Sequence, residues 1–261
     1  MLKSEPRFFA KIAEREEEFN SAHRLRYEVF VKELGSSGPL VDHKNALERD
    51  EFDPYFDHLI LYDLAKPECS ISEVIGVYRL LPHDKALELG RFYSEGEYDL
   101  NLLKASGRRM LELGRSCLHQ DYRGGSAMYY LWKALSEYVL QHNIEILFGV
   151  ASFHGTNIFE LSAPLSLLHH NHLAPSNLRV RAKDPNRQRM DLIHPNDLNR
   201  PEAMIAMPSL IKAYLRLGGV VGEGAYIDRA FNTTDVCLIL DTKKLNSRQR
   251  SIYVKPECYK I

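Results

Sequence analysis

The chain has few cysteines and no long apolar run, and both shortages narrow the class of protein. Its four cysteines, Cys69, Cys117, Cys237 and Cys258, are far apart and form no CxxC pair. This spacing favours neither a disulfide framework nor a thiolate zinc site, and it indicates a reducing compartment. No stretch reaches the roughly 18 to 20 apolar residues that a membrane-spanning helix needs. We therefore expect a cytoplasmic protein that can still associate with a membrane surface.

An excess of charge of one sign is also missing. Across 261 residues the acidic and basic side chains nearly cancel, to a formal net charge of -1. The molecule as a whole is thus no polyelectrolyte, and we expect no nucleic-acid partner. Residues 1–15 are charged and lack the apolar segment of a signal peptide. The 44% hydrophobic fraction is typical of a globular protein with a buried core.

Periodicity and turn residues predict an alternation of strands and helices. The predicted elements are, in order, a strand at 7–13, a helix at 14–34, strands at 58–62, 74–81 and 110–119, a helix at 126–141, a strand at 146–153, a helix at 208–217 and a hairpin joining 220–227 to 236–241. The strand, helix and strand between residues 110 and 153 imply a parallel crossover. The Pro-, Asn- and His-rich stretch 155–199 is interpreted as a loop-like insertion. We expect one mixed α/β domain over residues 1–261.

The most informative segment is a glycine-rich turn, Arg123–Ala127, between a predicted strand and a predicted helix. Because Gly124 and Gly125 have no Cβ, the backbone can direct several N–H groups at one anion. Arg123 and the N-terminus of the helix add positive potential. The segment therefore indicates a phosphate site, with an ordinary tight turn as the alternative.

Glu112 and Arg115 lie in the strand before this turn and, at period two, point to opposite faces. A bulge at Gly114 would bring them to one face and free backbone N–H groups beyond it. Amide formation from a thioester needs such donors for the oxyanion, and it needs a group that takes a proton from the amine. Glu112 is the candidate base or amine-orienting group. The alternative is an ion pair between Glu112 and Arg115 that only braces the sheet.

Arg26 lies on one helix face with Val29 and Phe30. It is either a snorkelling arginine or an anchor for a carboxylate. The acidic run after this helix, with Asp50, Glu51, Asp53 and Asp57, has three readings: a solvated loop, partners for nearby arginines, or a holder for the ammonium of a cationic amino acid.

Histidines 169, 170 and 172 suggest a metal site at first sight. Adjacent histidines seldom converge on one ion without carboxylate or cysteine help, so we expect no metal. The basic runs at 179–189 and 243–250 are either solvated faces or a docking surface for an acidic partner. The helix at 208–217 is amphipathic, and we weigh core packing against contact with a membrane surface.

The order of these segments resembles the GNAT superfamily of acyltransferases. The segments Arg26–Phe30, Asp50–Asp53, Gly76–Leu81 and Glu112–Arg115 resemble, in order, the signature of acyl-homoserine-lactone synthases and of the related, haemolysin-like ornithine lipid N-acyltransferases. The second group fits better, because it is also similar at 210–218 and 228–236. The turn follows the superfamily pattern only loosely, so which N–H groups contact phosphate stays open.

The resemblance implies an N-acyltransferase that moves a 3-hydroxyacyl group from acyl carrier protein to the α-amine of L-ornithine, giving lyso-ornithine lipid. No cofactor is bound permanently, since the donor is the phosphopantetheine thioester of the carrier protein. The alternatives are an acyl-homoserine-lactone synthase and an N-acyltransferase for another amino acid. A third possibility is a catalytically silent module that binds carrier protein or membrane.

The resemblance and the residue chemistry together nominate site residues at three places. The candidates are Glu112 and Arg115 for catalysis; Leu118, Arg123, Gly124, Gly125, Ser126 and Ala127 for the donor; and Arg26, Phe30, Asp50, Asp53, Arg79, Asn232 and Asp235 for the amino acid. Arg26 or Arg79 would bind the α-carboxylate. Asp235 is the preferred partner of the distal ammonium, with a plain hairpin turn as the alternative for residues 232–235.

Overall fold

The computed structural model describes residues 6–38, 40–65 and 73–245. Cys69, Cys258, Arg248 and Arg250 lie outside these residues. The chain divides into two compact units. The first comprises Met1–Lys85, Leu113–Asn143 and Leu245–Ile261, and the second comprises Ala86–Glu112 and Ile144–Lys244. The single domain expected over 1–261 stays a prediction.

The strands and helices follow the predicted order closely. The strands are β1 (Phe8–Ile12), β2 (Asp57–Asp63), β3 (Gly76–Pro82), β4 (Tyr98–Asp99), β5 (Met110–Leu118), β6 (Ile146–His154), β7 (Arg181–Ala182), β8 (Arg187–Gln188), β9 (Val220–Val221), β10 (Ala225–Asp228) and β11 (Thr233–Asp241). The helices are α1 (Glu16–Arg26), α2 (His83–Leu89), α3 (Asn101–Ala105), α4 (Ala127–Gln141), α5 (Ser162–His172), α6 (Arg200–Ala206) and α7 (Ser209–Arg216).

In the first unit the strand order is β1, β2, β3 and β5. The pairs β1–β2 and β2–β3 are antiparallel, so the strands predicted at 58–62 and 74–81 lie side by side. On one face Ala22 and Leu25 of α1 pack with Ile60 and Cys117. On the other, Gly76 leaves room for Leu118 and for Leu131 of α4, because a Cβ at Gly76 would lie 2.7 Å from Leu118. Alternate strand residues thus face different helices.

The first helix is longer than α1 itself. It continues as a π-helix over Tyr27–Glu33, in which the N–H of Leu34 donates to the carbonyl of Val29 at 3.2 Å. Gly35, at φ +72°, ends it in the left-handed region that glycine accepts freely. The predicted helix at 14–34 is therefore confirmed in extent. Its second half has a form that is rare and often found near functional sites.

In the second unit the strand order is β5, β6, β11, β10 and β8, with β9 also paired to β11. The β5–β6 pair is parallel and joins Met110 to Ile146, as the crossover required. The β6–β11 and β10–β11 pairs are antiparallel. Because the sheet mixes both directions and carries helices, the predicted mixed α/β class is confirmed.

The stretch 155–199 is less loop-like than expected. It contains α5, which buries Leu165, Leu167 and Leu168 and contacts α6. Pro164 lies in the first turn of α5, where a missing N–H costs no helical hydrogen bond. The prolines and histidines obscured this apolar helix in the sequence.

The amphipathic helix α7 buries Ile211 and Tyr214. This burial supports the core-packing alternative over membrane contact. Within the described residues, no helix has both the length and the apolar character that crossing a bilayer requires.

Candidate active site

The last residue of α1, Arg26, is fully buried and paired with two carboxylates. Its Nε donates to Glu48 Oε2 at 2.5 Å, and its two terminal nitrogens donate to Asp53 at 2.5 and 3.2 Å. This arrangement excludes a snorkelling arginine, because a guanidinium removed from water needs partners of opposite charge. Burial alone would raise the pKa of Glu48, but Arg115 and Arg26 outweigh it and lower that pKa to about 2.

Two further arginines complete the arrangement. Arg79 donates to Asp50 at 2.7 Å and to Asp53 at 2.9 Å. Arg115 donates to Glu48 at 3.2 Å and to Asp50 at 3.4 Å. The six side chains that we call the ionic cluster are Arg26, Glu48, Asp50, Asp53, Arg79 and Arg115. The cluster contains three guanidinium groups and three carboxylates, so its formal charges balance.

The loop that supplies these acids is folded by its own side chains. Asp53 Oδ2 accepts the backbone N–H of Asp50 at 2.8 Å, and Asp50 Oδ1 accepts that of Phe52 at 3.0 Å. Phe52 and Phe56 are buried beneath the loop. The pairing alternative is therefore confirmed for Asp50 and Asp53, and the solvated-loop alternative is wrong for both.

Strand β5 is irregular, but one residue later than the expected bulge at Gly114. Arg115 has φ +48°, in the left-handed region that costs a non-glycine residue roughly 1 kcal/mol or more. Its two ion pairs, and Phe30 at 5.9 Å from its guanidinium carbon, offset that strain. The backbone thus directs Arg115 into the ionic cluster.

A pocket of about 730 Å³ lies beside the ionic cluster within the first unit. Its walls include the apolar Phe19, Leu40 and Phe56 and the polar His23, Arg49 and Asp50. This volume and the mostly apolar lining are typical of small-molecule sites. The sequence singled out Asp50 but neither His23 nor Arg49.

Two buried histidines face Asp53 from neighbouring elements. His58 Nε2 lies 3.4 Å and His23 Nε2 3.7 Å from the Asp53 carboxylate. Burial and the nearby Arg26 lower the pKa of His23 to about 3, and burial also lowers the pKa of His58, so both rings are neutral. Two imidazoles and a carboxylate can hold a metal ion, but here Asp53 already neutralises arginines. The balanced charges of the ionic cluster fit a cation poorly.

The glycine-rich turn connects β5 to α4 as predicted. Gly124 has φ +77°, whereas a Cβ at Gly125 would meet only the Tyr122 carbonyl oxygen, at 3.8 Å. Among the described residues, no protein acceptor takes the N–H of Gly124, Gly125 or Ser126. Ser126 makes no side-chain cap at the start of α4. Three backbone donors at a helix N-terminus are thus available to an anion.

Arg123 does not extend freely from this turn. Its Nε donates to the Leu118 carbonyl at 3.0 Å, and its terminal nitrogens lie 2.8 and 3.0 Å from the Glu33 carboxylate. The side chain of Arg123 is 44% exposed. An anion at the turn would therefore meet an arginine already oriented by Glu33.

In the second unit, Glu112 is 1% exposed and held by donors from one short helical turn. Its carboxylate accepts the backbone N–H of Tyr93 at 2.7 Å and of Ser94 at 2.6 Å, and also the Ser94 hydroxyl. The sequence missed these donors because they lie 18 and 19 residues earlier. Charge-assisted hydrogen bonds of this kind fix the orientation of the carboxylate.

Asp235 lies in β11, 3% exposed, near two acids that the sequence did not nominate. Carboxylate oxygens of Glu97, Asp228 and Asp235 all lie within 4.8 Å of one another. Asn232 is exposed at the preceding turn with φ +52°, a backbone conformation that a hairpin turn uses, and its contact with substrate stays a prediction. The turn does not explain why Asp235 is buried beside two other acids.

The basic run at 179–189 consists largely of paired side chains. Arg187 lies near Asp184 and Glu223, and Arg189 donates twice to Asp191. Of the three histidines at 169, 170 and 172, His170 contacts the Ile193 carbonyl at 2.9 Å. These arginines and His170 thus have partners within the protein.

Comparisons with known proteins identify the class first. A family model described as an acetyltransferase (GNAT) domain matches residues 25–133. That range contains the ionic cluster, Glu112 and the glycine-rich turn, so these candidate residues all lie in the part of the chain that matches a GNAT domain.

Relatives then identify the family within that class. An L-ornithine N(alpha)-acyltransferase from Rhodobacter capsulatus is 58% identical over 245 residues, covering 94% of each chain. One from Brucella abortus is 40% identical over 235 residues, covering 89% of this chain and 84% of that protein. The chain belongs to the L-ornithine N(alpha)-acyltransferase family.

Two solved structures support the fold alone. An N-acyl amino acid synthase from uncultured soil microbes aligns with a TM-score of 0.51 at 13% identity, covering 95% of each chain. The AHL synthase LasI aligns with a TM-score of 0.50 at 16% identity, also covering 95% of each chain.

Proposed function

We propose that the protein transfers a 3-hydroxyacyl group from acyl carrier protein to the α-amine of L-ornithine and so produces lyso-ornithine lipid. The family supplies the acceptor and the position acylated. The donor and the acyl class extend beyond the names of the relatives. The observation that carries the donor assignment is the glycine-rich turn.

Three backbone N–H groups at this turn have no acceptor within the described protein, and the space over Gly125 is open. A phosphate diester, as in phosphopantetheine, supplies the anion that such donors bind. Ser126 and Ala127 begin the helix, Arg123 adds charge, and Leu118 ends the strand before the turn. We therefore expect that glycine at residue 125 leaves room for the donor phosphate, since packing of the protein itself does not require it.

The reaction that we propose requires no covalent enzyme intermediate. The α-amine attacks the thioester carbonyl, the new C–N bond forms, and the C–S bond breaks to release the carrier thiol. The ammonium must first lose one proton, and the leaving thiolate gains one. Burial raises the pKa of the Cys117 thiol to about 12, which supports a packing role rather than a nucleophilic one.

Glu112 is our candidate for orienting the amine or accepting its proton. Its three donors hold the carboxylate rigidly, which favours precise positioning of a substrate amine. Arg115 has an indirect role in this proposal. It pairs with Glu48 and Asp50 and so helps to hold the ionic cluster in place.

The acceptor would use the pocket in the first unit. Asp50 lines this pocket, while the buried Arg26 and Arg79 hold Asp50 and Asp53 in place, and Phe30 packs against Arg115. In the second unit, Asp235 is our preferred partner for an ammonium group. Three carboxylates within 4.8 Å repel one another, and a cation relieves that repulsion.

A donor comparison tests this function. Purified protein with L-ornithine should be offered a 3-hydroxyacyl group on carrier protein, the same group on coenzyme A, and the unhydroxylated acyl carrier protein. We expect the first donor to give the highest kcat/KM. Equal use of all three donors would remove both the carrier protein and the hydroxyl from the assignment, while leaving ornithine as acceptor.

A further inference from the structure

The charge balance of the ionic cluster raises the question of what binds the acceptor's α-carboxylate. Arg26 and Arg79 are 0% exposed, and both already pair with carboxylates of the cluster. An incoming carboxylate would have to displace Asp50 or Asp53 and leave a buried charge unpaired. Neither arginine is therefore suited to contact the substrate directly. A separate positive charge is needed.

Arg49 supplies that charge. It lines the same pocket, directly before Asp50 in the chain, and its side chain is 46% exposed. The other polar wall residues are acids or the neutral His23 and His58. A carboxylate in the pocket would find its cationic partner in Arg49.

Arg49 can also leave its present partner at little cost. Its terminal nitrogen lies 3.7 Å from Asp42, beyond hydrogen-bond distance. Asp42 is held independently, because Asn45 donates to it from the backbone at 3.0 Å and from the side chain at 2.7 Å. Exposed ion pairs of this length contribute little to stability. A ligand can thus compete for the guanidinium without leaving a buried acid unpaired.

We propose that Arg49 binds the α-carboxylate of the amino acid acceptor, an assignment that rests on the proposed use of this pocket. The planar guanidinium can donate two parallel hydrogen bonds to a carboxylate, which an ammonium cannot. Arg26 and Arg79 are then positioning residues that keep Asp50 and Asp53 in place.

The test pairs a change in the enzyme with a change in the substrate. Ornithinol replaces the carboxylate of ornithine by a hydroxymethyl group and keeps both amines. With wild-type protein, we expect ornithine to exceed ornithinol in kcat/KM by about 10- to 100-fold. Arg49→Met should reduce that preference to about threefold or less, mainly by raising KM for ornithine, and Arg49→Lys should be intermediate.

Arg24→Met is the matched control, since Arg24 is exposed on α1 outside the pocket lining. It should leave the preference unchanged. If Arg49→Met unfolds, Arg49→Gln provides the same comparison. A wild-type preference retained in a folded Arg49 variant would overturn the proposal. Failure of the wild-type protein to use the carrier-protein donor would instead contradict the proposed function, which the ornithine-to-ornithinol ratio does not measure.

Discussion

Arg26 and Asp53, 27 residues apart in the chain, are both buried and are joined by two hydrogen bonds. The pair connects the end of α1 to the acidic loop, and Arg79 binds the same carboxylate from β3. The charge of Arg26, a hydrogen bond from His58 and the charge of Arg79 together outweigh burial and keep the pKa of Asp53 well below its usual range. Folding of this part of the protein and the shape of the acceptor pocket therefore depend on the same side chains.

Breaking this pair should unfold the protein at lower denaturant concentration. Arg26→Ala would leave Glu48 and Asp53 buried without their main partner, so we expect a loss of about 3–5 kcal/mol in the free energy of unfolding. Urea titration monitored by circular dichroism measures it. Arg24→Ala, on the exposed side of α1, should change stability by less than about 0.5 kcal/mol. Equal stability of the two variants would contradict a structural role for the ionic cluster.

The glycine-rich turn allows a separation of backbone strain from donor binding. A Cβ at Gly125 would meet only the Tyr122 carbonyl oxygen at 3.8 Å, so we expect Gly125→Val to keep the melting temperature and to raise KM for the acyl donor about tenfold or more. Gly124→Ala is the contrasting variant, because its φ of +77° penalises any side chain by about 1 kcal/mol. Calorimetry measures the melting temperature of each variant, and titration with the acyl donor measures its KM. An unaltered donor KM in Gly125→Val would remove the turn from the donor site.

Replacement of Glu112 should affect both rate and stability, but to different extents. Glu112→Gln places an amide group where three donors converge, which we expect to cost about 1–3 kcal/mol. If Glu112 orients or deprotonates the amine, the single-turnover rate should fall by about 100-fold or more. Ser94→Ala is the control, since it removes one donor and keeps the carboxylate. A rate unchanged in folded Glu112→Gln would make Glu112 purely structural.

The buried histidines predict an acid-sensitive window. The pKa of His23 is about 3 in the folded protein and about 6.5 when unfolded, so the unfolded chain binds more protons between these values. The contribution of neutral His23 to the free energy of unfolding is fully present above pH 6.5 and is lost progressively as the pH falls toward 3. The pKa of Glu48 is lowered from 4.5 to about 2, so protonation of Glu48 changes the free energy of unfolding only below pH 4.5.

Between pH 6.5 and 4.5 His23→Gln should therefore reduce the loss of stability by roughly 2 kcal/mol. The residual slope would come from His58 and His172, whose pKa values are also lowered by burial. Denaturant titrations at both pH values measure the difference. The same pH dependence in wild type and variant would show that His23 is already protonated or free to ionise in the folded state.

The acids around Asp235 should determine the preference for a distal amine. Norvaline lacks that amine, so wild-type protein should use ornithine at least about tenfold better. Asp235→Asn should reduce the preference, and the exposed Asn232→Asp should not. Competition assays with one donor provide the ratio. Equal use of both amino acids by wild type would contradict recognition of the distal ammonium.

Local patterns predicted the elements, and distant partners account for what was missed. Alternation and turn residues indicated β2, β3, β5, β6 and the Gly124–Gly125 turn, because those signals lie within a few neighbouring residues. Glu48 could not be assigned to Arg26, since the two are 22 residues apart with a π-helix between them. The left-handed backbone of Arg115 has no sequence signal, because arginine rarely adopts it. The donors to Glu112 and the acids near Asp235 are also set by tertiary packing alone.

Transfer of a 3-hydroxyacyl group to the α-amine of ornithine is tested most directly by mass spectrometry of lipids. The lipids would come from a bacterial host that makes no ornithine lipid and expresses this chain. We expect a new lipid in which a 3-hydroxyacyl group is amide-linked to the α-nitrogen of ornithine, with the distal amine free. Cells expressing Glu112→Gln at equal protein level should contain far less of it. Acylation of another amino acid, an acyl-homoserine lactone, or ornithine acylated at its distal nitrogen would contradict the account.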